Sequence, residues 1–393
     1  MLEELRKQTF RQPISKMELE RRWKTVRTEM AKAKIDALIT HSAGRFLGGM
    51  VRYFTDIQMS SYGGAVIFPL DGNMTLITSG APNVEPEINP VIYNTQSFSR
   101  PFIPSMNYVK DQFPSIAVDV FNKSKPKTIG IVEKSLFPLS FYEYMKEKLT
   151  NVKFVDATDM VEDIRSVKSE EEINLMQKTA AMQDKVMLAV QSMVRPGVRE
   201  YEIMAEVKRM CLELGSEEQL VLIGTGPIGT SVVRRGEFYH NRTIQEGDYM
   251  AILIETNGPG GLWTEIARNF CIGEAPKEML KAWSDVLNVQ QELAKQFKPG
   301  AKCKDLWDFQ NKLMVELGYP AETRLSCHGQ GYDIVERPVI RPEEPMDIKE
   351  NMAIAIHPFA VTKKVWIDPC MNYLITPKGG ALMHKCPKDV FVV

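Results

Sequence analysis

The sequence lacks an excess of either charge. Its 49 basic and 50 acidic side chains leave a net charge of −1. A protein that tracks phosphates needs a basic surplus or patch, so nucleic acid is excluded as the main partner. No apolar run approaches the roughly 20 residues that a membrane span needs, so no membrane is expected. The opening MLEELRKQTFRQ is charged and has no apolar centre, so it does not read as a secretory signal. Cysteines are few, and Cys211, Cys271, Cys303, Cys327, Cys370 and Cys386 form no CxxC pair. They read as free thiols of a cytoplasmic protein. Histidine is scarcer still, with five in 393 residues.

What is present is globular. Hydrophobic residues make up 44% and charged residues 25%, and the length suits two domains. Over the first part, strand-like runs such as DALITHS, a DG-centred hairpin and KTIGIVE alternate with helical stretches, which indicates an α/β domain. His41 is its only histidine and reads as structural. Ser169 followed by three glutamates is a helix start, a capping hydroxyl ahead of acids in the first turn. A long helix is expected over 169–194. The expected domains are 1–160 and 161–393.

The second part repeats itself. VRPGVREYEIMAEVKRMCLELG (194–215) and FKPGAKCKDLWDFQNKLMVELG (297–318) lie 103 residues apart without a gap. Each starts with basic-Pro-Gly, carries an amphipathic helix and ends in Leu-Gly, a C-cap signal. Each precedes strands. The second part is therefore expected to have pseudo-two-fold symmetry.

Each half carries a hairpin. In IETNGPGGLWTEIARNF (254–270) a turn centred on Gly260 sets Glu255 opposite Glu265. Opposed residues share a face with Cβ atoms roughly 5 Å apart. Two carboxylates so placed need something between them. A divalent metal, a protonated histidine or an arginine such as Arg268 would serve, and so would a proton that keeps one glutamate neutral. In the stretch 352–376 a tight turn at Thr362–Lys363 would set His357 opposite Asp368, with Cys370 on the same face. His240 precedes the first hairpin, and His328 lies in SCHGQG. Together these residues describe one polar site shared by the two halves. The Gly-rich stretch 224–236 lacks the Lys-Ser/Thr of a phosphate loop and reads as a lining of the site mouth.

The order of IRSVKSEEEI, RPGVREYE, KPGAKCKDL, CHGQG and AIHP resembles the creatinase, prolidase and aminopeptidase P family over nearly the whole chain. The resemblance implies an α/β, ribonuclease H-like N-terminal domain and an α+β catalytic domain of the pita-bread fold. It implies a homodimer, with Arg45 and Arg52 candidates to approach a neighbouring subunit's site. The family's metallopeptidases hold two metals with two aspartates, one histidine and two glutamates. By that pattern His328 matches the ligand histidine and Glu265 the second aspartate. Glu255 lies one residue out of step with the first. His357 stands for one glutamate, and Cys370 or Asp368 for the other. Glu336 and Pro338 keep a Glu-x-Pro element.

Creatinase-like members imply the preferred expectation. It is a hydrolase of a C–N bond, amide or amidine, in a small cationic or zwitterionic substrate. His240 would be acid and base, with His328, His357 and Glu265 also catalytic. Glu255, Asp368, Arg268, Glu336 and Cys370 would bind substrate, with Asp368 orienting His357. No cofactor is expected on this reading, one divalent metal ion being the alternative. A Xaa-Pro dipeptidase or aminopeptidase with an altered metal site is the second reading. An inactive module that binds a peptide or protein is the third.

Overall fold

The computed structural model describes residues 12–42, 44, 46–58, 62–80, 96–101, 103, 105–236, 241–325 and 327–393. Two compact units result, 13–165 and, with Gln12, 166–393.

In the first unit, helix α1 (Lys16–Ala33) starts at the cap of Ser15, whose hydroxyl accepts from the Glu18 amide. The chain continues through β1 (Ala37–Ser42), α2 (Gly49–Thr55), β2 (Gly64–Pro69), β3 (Thr75–Ser79), β4 (Gln96–Arg100), α3 (Gln112–Ser124), β5 (Thr128–Ile131), α4 (Leu139–Lys148), β6 (Lys153–Asp156) and α5 (Thr158–Arg165). Helix α5 thus belongs to this unit and is not divided by a boundary at 160. The strands form a mixed six-stranded sheet in the order β4-β3-β2-β1-β5-β6. His41 on β1 is buried among the rings of Phe113, Phe137 and Phe141. That burial pushes its pKa down to about 4, so the ring is neutral.

The second unit shows its duplication in its helices. Helices α6 (Glu170–Met193) and α7 (Glu200–Glu213) lead to β7 (Gln219–Pro227), β8 (Asp248–Asn257) and β9 (Trp263–Cys271). Helices α8 (Lys277–Gln296) and α9 (Cys303–Glu316) lead to β10 (Cys327–Gly329), β11 (Glu336–Val339), β12 (Ala353–Ile356), β13 (Ala360–Val361), β14 (Trp366–Ile367), β15 (Met371–Thr376), β16 (Gly379–Leu382) and β17 (Phe391–Val392). The ends of α6 and α8, and both ends of α7 and α9, keep the offset of 103. The Pro-Gly glycines match as well, with φ of 89° at Gly197 and 88° at Gly300, a conformation that glycine takes without penalty. Ser169 and Glu172 make the expected capping box on α6.

Four strands run β17-β9-β8-β7 and five run β11-β10-β12-β15-β16. One face of β8–β9, with Ile252, Ile254, Ile266 and Phe270, packs on α6 and α7. The equivalent face of β12–β15, with Ile354, Ile356, Met371 and Tyr373, packs on α8 and α9. The opposite faces meet. Glu265 N–H donates to Asn372 Oδ1 at 2.6 Å, and Ala267 N–H to the Cys370 carbonyl at 3.1 Å. This is the pita-bread fold. Among the described residues no helix is long and apolar enough to cross a membrane.

Candidate metal centre

The first hairpin has the register its sequence implies. Glu255 pairs with Glu265 in an unbroken antiparallel ladder, and both side chains are buried. Gln330 Nε2 donates to Glu255 Oε1 at 2.8 Å. Burial, then the charge of Glu265 and a hydrogen bond with it, raise the Glu255 pKa well above its ordinary value. Burial would raise Glu265 too, but His357, His328 and Cys370 outweigh it and hold Glu265 below its ordinary value. The surroundings thus favour the neutral form at Glu255 and the charged form at Glu265.

The second hairpin corrects an expectation. Ile356 pairs with Met371 and Ala360 with Ile367, a single register that carries His357 across from Cys370, not Asp368. The reason is the turn. It spans four residues, Thr362–Val365, with the Thr362 amide on the Val365 carbonyl and the Thr362 hydroxyl accepting from the Lys364 and Val365 amides. The two-residue turn assumed from sequence would have been shorter. Cys370 therefore faces Glu265, with Sγ 2.6 Å from Oε1.

Around Glu265 Oε1 stand His328 Nε2 at 3.9 Å and His357 Nε2 at 4.0 Å. The two imidazoles meet edge to face at 5.2 Å. His328 Nδ1 lies 2.9 Å from the Gly329 carbonyl, so Nδ1 carries the proton and Nε2 offers its lone pair. Burial lowers the His328 pKa and favours this neutral form. One ligand atom each from Glu265, His328 and His357 lies within 4.8 Å of the others. Bond lengths to zinc place neighbouring ligand atoms about 3.3–3.8 Å apart in a tetrahedron, so the arrangement needs little closure. The donor set of one carboxylate and two imidazoles suits one divalent cation, with the Cys370 thiol hydrogen-bonded to the carboxylate.

The other expected residues go elsewhere. Asp368 does not orient His357; its carboxylate takes the Arg234 guanidinium in a buried ion pair. Arg268 is no substrate anchor. It lies on the helix-facing side of β9, where its guanidinium donates to the carbonyls of Pro387, Cys386 and Ala267. Strand alternation explains this, since 265 and 268 have opposite parity. Glu336 is held by Lys168 at 2.6 Å, both buried, and is not offered to a ligand. Arg52 donates to Gln58 at 2.7 Å. His240 and Arg45 lie outside the described residues.

The sequence reading missed three groups. Arg234 comes from the Gly-rich stretch; among the described residues its Nε and Nη1, like Asp368 Oδ1, are buried with no hydrogen-bond partner. Its loop is tied to the second hairpin by Ser231 N–H on the Lys363 carbonyl and by the Tyr249 hydroxyl, which accepts from the Val232 and Trp366 amides. Asn372 shares the face of Cys370, two residues on, and strand parity alone could have placed it there. His384 follows β16 and had no signal beyond its residue type.

The profile of the Creatinase/Prolidase N-terminal domain matches residues 22–167, and that of Metallopeptidase family M24 matches residues 174–382. A Xaa-Pro dipeptidase from Pyrococcus horikoshii is 26% identical over 306 residues, 74% of this chain and 84% of that one. A creatinase from a Bacillus species is 24% identical over 364 residues, 88% of this chain and 82% of that one. Among solved structures, the X-Pro aminopeptidase from Thermotoga maritima has a TM-score of 0.79 at 21% identity, covering 94% of this chain and 99% of that one. The match to a metallopeptidase family, with the ligand cluster at Glu265, His328 and His357, overturns the expectation that no cofactor is used. The loss of some family ligands had suggested a metal-free site, but the replacements are themselves metal ligands. The chain belongs to metallopeptidase family M24.

Proposed function

We propose that this chain is a hydrolase that cleaves a C–N bond of amide type in a small zwitterionic substrate, using one divalent cation and not two. The observation that carries the reading is the convergence of Glu265, His328 and His357 on one point, with Cys370 against Glu265. A carboxylate and a thiolate neutralise one dication. A second ion would need further carboxylates, and two nearby ones are already engaged: Asp368 has Arg234, and Glu336 has Lys168. A cation held by Glu265, His328 and His357, with Cys370 as a fourth candidate ligand, would supply Lewis-acid polarisation of the scissile carbonyl.

The chain's own groups do the rest. Burial, then the charge of Glu265, pushes the Glu255 carboxyl well above its ordinary value, which makes Glu255 the candidate to give a proton to a departing nitrogen. Gln330 donates to its Oε1, which leaves Oε2 for that proton. The unpartnered N–H edge of Arg234 suits a substrate carboxylate, and the free oxygen of Asp368 suits a cationic group. His240 remains the candidate for activating water.

The similarity to Xaa-Pro dipeptidases favours dipeptides with a C-terminal proline as the first substrates to try. The test is to strip the protein with chelator, restore Zn²⁺ or Mn²⁺ stepwise, and assay Xaa-Pro dipeptides beside N-acyl and guanidino acids. Activity that saturates at one equivalent supports the reading. Activity indifferent to the chelator, or reached only at two equivalents, contradicts it.

A further inference from the structure

His384 stands outside the candidate ligand cluster, yet a continuous set of buried hydrogen bonds joins it to the carboxyl pair. Its Nδ1 lies 3.1 Å from Asp184 Oδ1 on α6. Its Nε2 lies 3.4 Å from Asn372 Oδ1 on β15. Asn372 Nδ2 donates to Gln330 Oε1 at 2.6 Å, and Gln330 Nε2 donates to Glu255 Oε1 at 2.8 Å. Asp184, His384, Asn372, Gln330 and Glu255 are all buried.

The directions of the two amides follow from backbone groups, the Glu265 N–H for Asn372 and the Ile334 carbonyl for Gln330. The Glu265 amide can only donate, so the Asn372 atom that meets it must be the oxygen. Nδ2 of Asn372 then faces Gln330, and the Gln330 amide is fixed in turn with its nitrogen toward Glu255. A turned Asn372 amide would set N–H against N–H at Glu265 and oxygen against oxygen at Gln330, whose nitrogen the Ile334 carbonyl also holds at 3.1 Å, and so would strain the donor to Glu255. The His384 ring stands against that rotation. Its Nε2 edge faces Asn372 Oδ1, and its Nδ1 edge is fixed on the Asp184 carboxylate. Asp184 is itself held by the Lys385 amide, which donates to Oδ2 at 2.6 Å. Burial would raise Asp184, but the bond to His384 keeps it below its ordinary value.

We propose that His384, braced by Asp184, is a positioning residue that locks the Asn372 amide, and through it the backbone of Glu265 and the carboxyl of Glu255. This deepens the reading above, since it rests on Glu265 and Glu255 belonging to the reaction centre. It touches neither substrate nor metal.

The test uses the full chain as wild type, His384→Ala and His384→Gln. The glutamine amide nitrogen sits about where Nε2 was and keeps a donor toward Asn372. Melting temperature, Zn²⁺ affinity by calorimetry and the crystal structure of the metal-free variant are measured. The alanine variant is expected to keep its melting temperature within a few degrees, to bind Zn²⁺ about 10–100-fold more weakly, and to show Asn372 or Gln330 turned. The glutamine variant is expected to recover most of the affinity. Unchanged affinity with Asn372 in place overturns the proposal, and so does a glutamine variant as impaired as alanine. Wild type that binds no Zn²⁺ ends the metal reading, and the variant structure alone then decides this one, an unmoved Asn372 overturning it. If the alanine variant does not fold, Asp184→Asn, which keeps the ring but removes its brace, carries the same measurements.

Discussion

Glu255 stands directly across from Glu265 on adjacent strands, and burial with the charge of Glu265 pushes the Glu255 carboxyl up while His357, His328 and Cys370 hold Glu265 down. The arrangement gives the metal-free protein a particular dependence on pH. Glu255 is raised in the folded state above its ordinary 4.5, so between that value and its folded pKa the native chain holds a proton that the unfolded chain has released. Stability from this group is complete below pH 4.5 and falls as pH rises, by up to about 1.4 kcal/mol per unit. Glu265 is lowered, and its contribution is lost only as pH falls below 4.5. Glu255→Gln mimics the protonated form. Its melting temperature is expected to stay flatter than wild type between pH 5 and 8 and to exceed it at pH 8. Parallel melting curves would contradict the raised Glu255 carboxyl.

Arg234 and Asp368 form a largely buried pair. Removing one partner strands the other charge. Arg234→Met is expected to cost about 3–5 kcal/mol, and the double variant with Asp368→Leu to recover much of that. Denaturant unfolding of the two single variants and the double variant measures the coupling. Additive losses would show that the pair is not coupled.

On the proposed reading Cys370 would be the soft ligand of the centre. Burial, then the charge of Glu265, pushes its thiol well above the ordinary range, so only a bound cation would make it a thiolate at neutral pH. Cys370→Ser is expected to weaken Zn²⁺ at least about tenfold while changing Mn²⁺ affinity much less, because thiolate favours the softer ion. Equal losses for both ions in titration calorimetry would place Cys370 outside the ligand set.

Ser169 caps the long helix that carries Asp184, through a reciprocal bond with Glu172. Ser169→Ala is expected to destabilise the second unit by about 1 kcal/mol, seen as a fall of about 2–4 °C in its melting temperature. No change would mean that the helix end is held by its tertiary contacts alone.

Much of this site is legible in the sequence where local rules decide the geometry. The first hairpin is centred by a Gly-Pro-Gly-Gly turn, and alternation then fixes Glu255 and Glu265. The paired helices repeat at 103 because each copy keeps its Pro-Gly start and its Leu-Gly end. The second hairpin was read with the wrong partner for His357 because turn length is set by side-chain bonds at Thr362, which no periodicity reveals. Arg268 was misplaced although strand parity excluded it. Arg234 and His384 depend on contacts between residues 134 and 200 positions apart, to Asp368 and Asp184, and nothing local marks them. The metal expectation failed for a chemical reason: imidazole and thiol were read as losses from a carboxylate set and not as ligands in their own right.

The most direct test is the number and place of bound ions. Metal-stripped protein is titrated with Zn²⁺ by calorimetry, and anomalous diffraction locates the ion. One equivalent bound between Glu265, His328, His357 and Cys370, with binding abolished in His328→Ala and in His357→Ala, is the expected result. Two ions per chain, an ion placed elsewhere, or no binding at all would contradict the single-metal account.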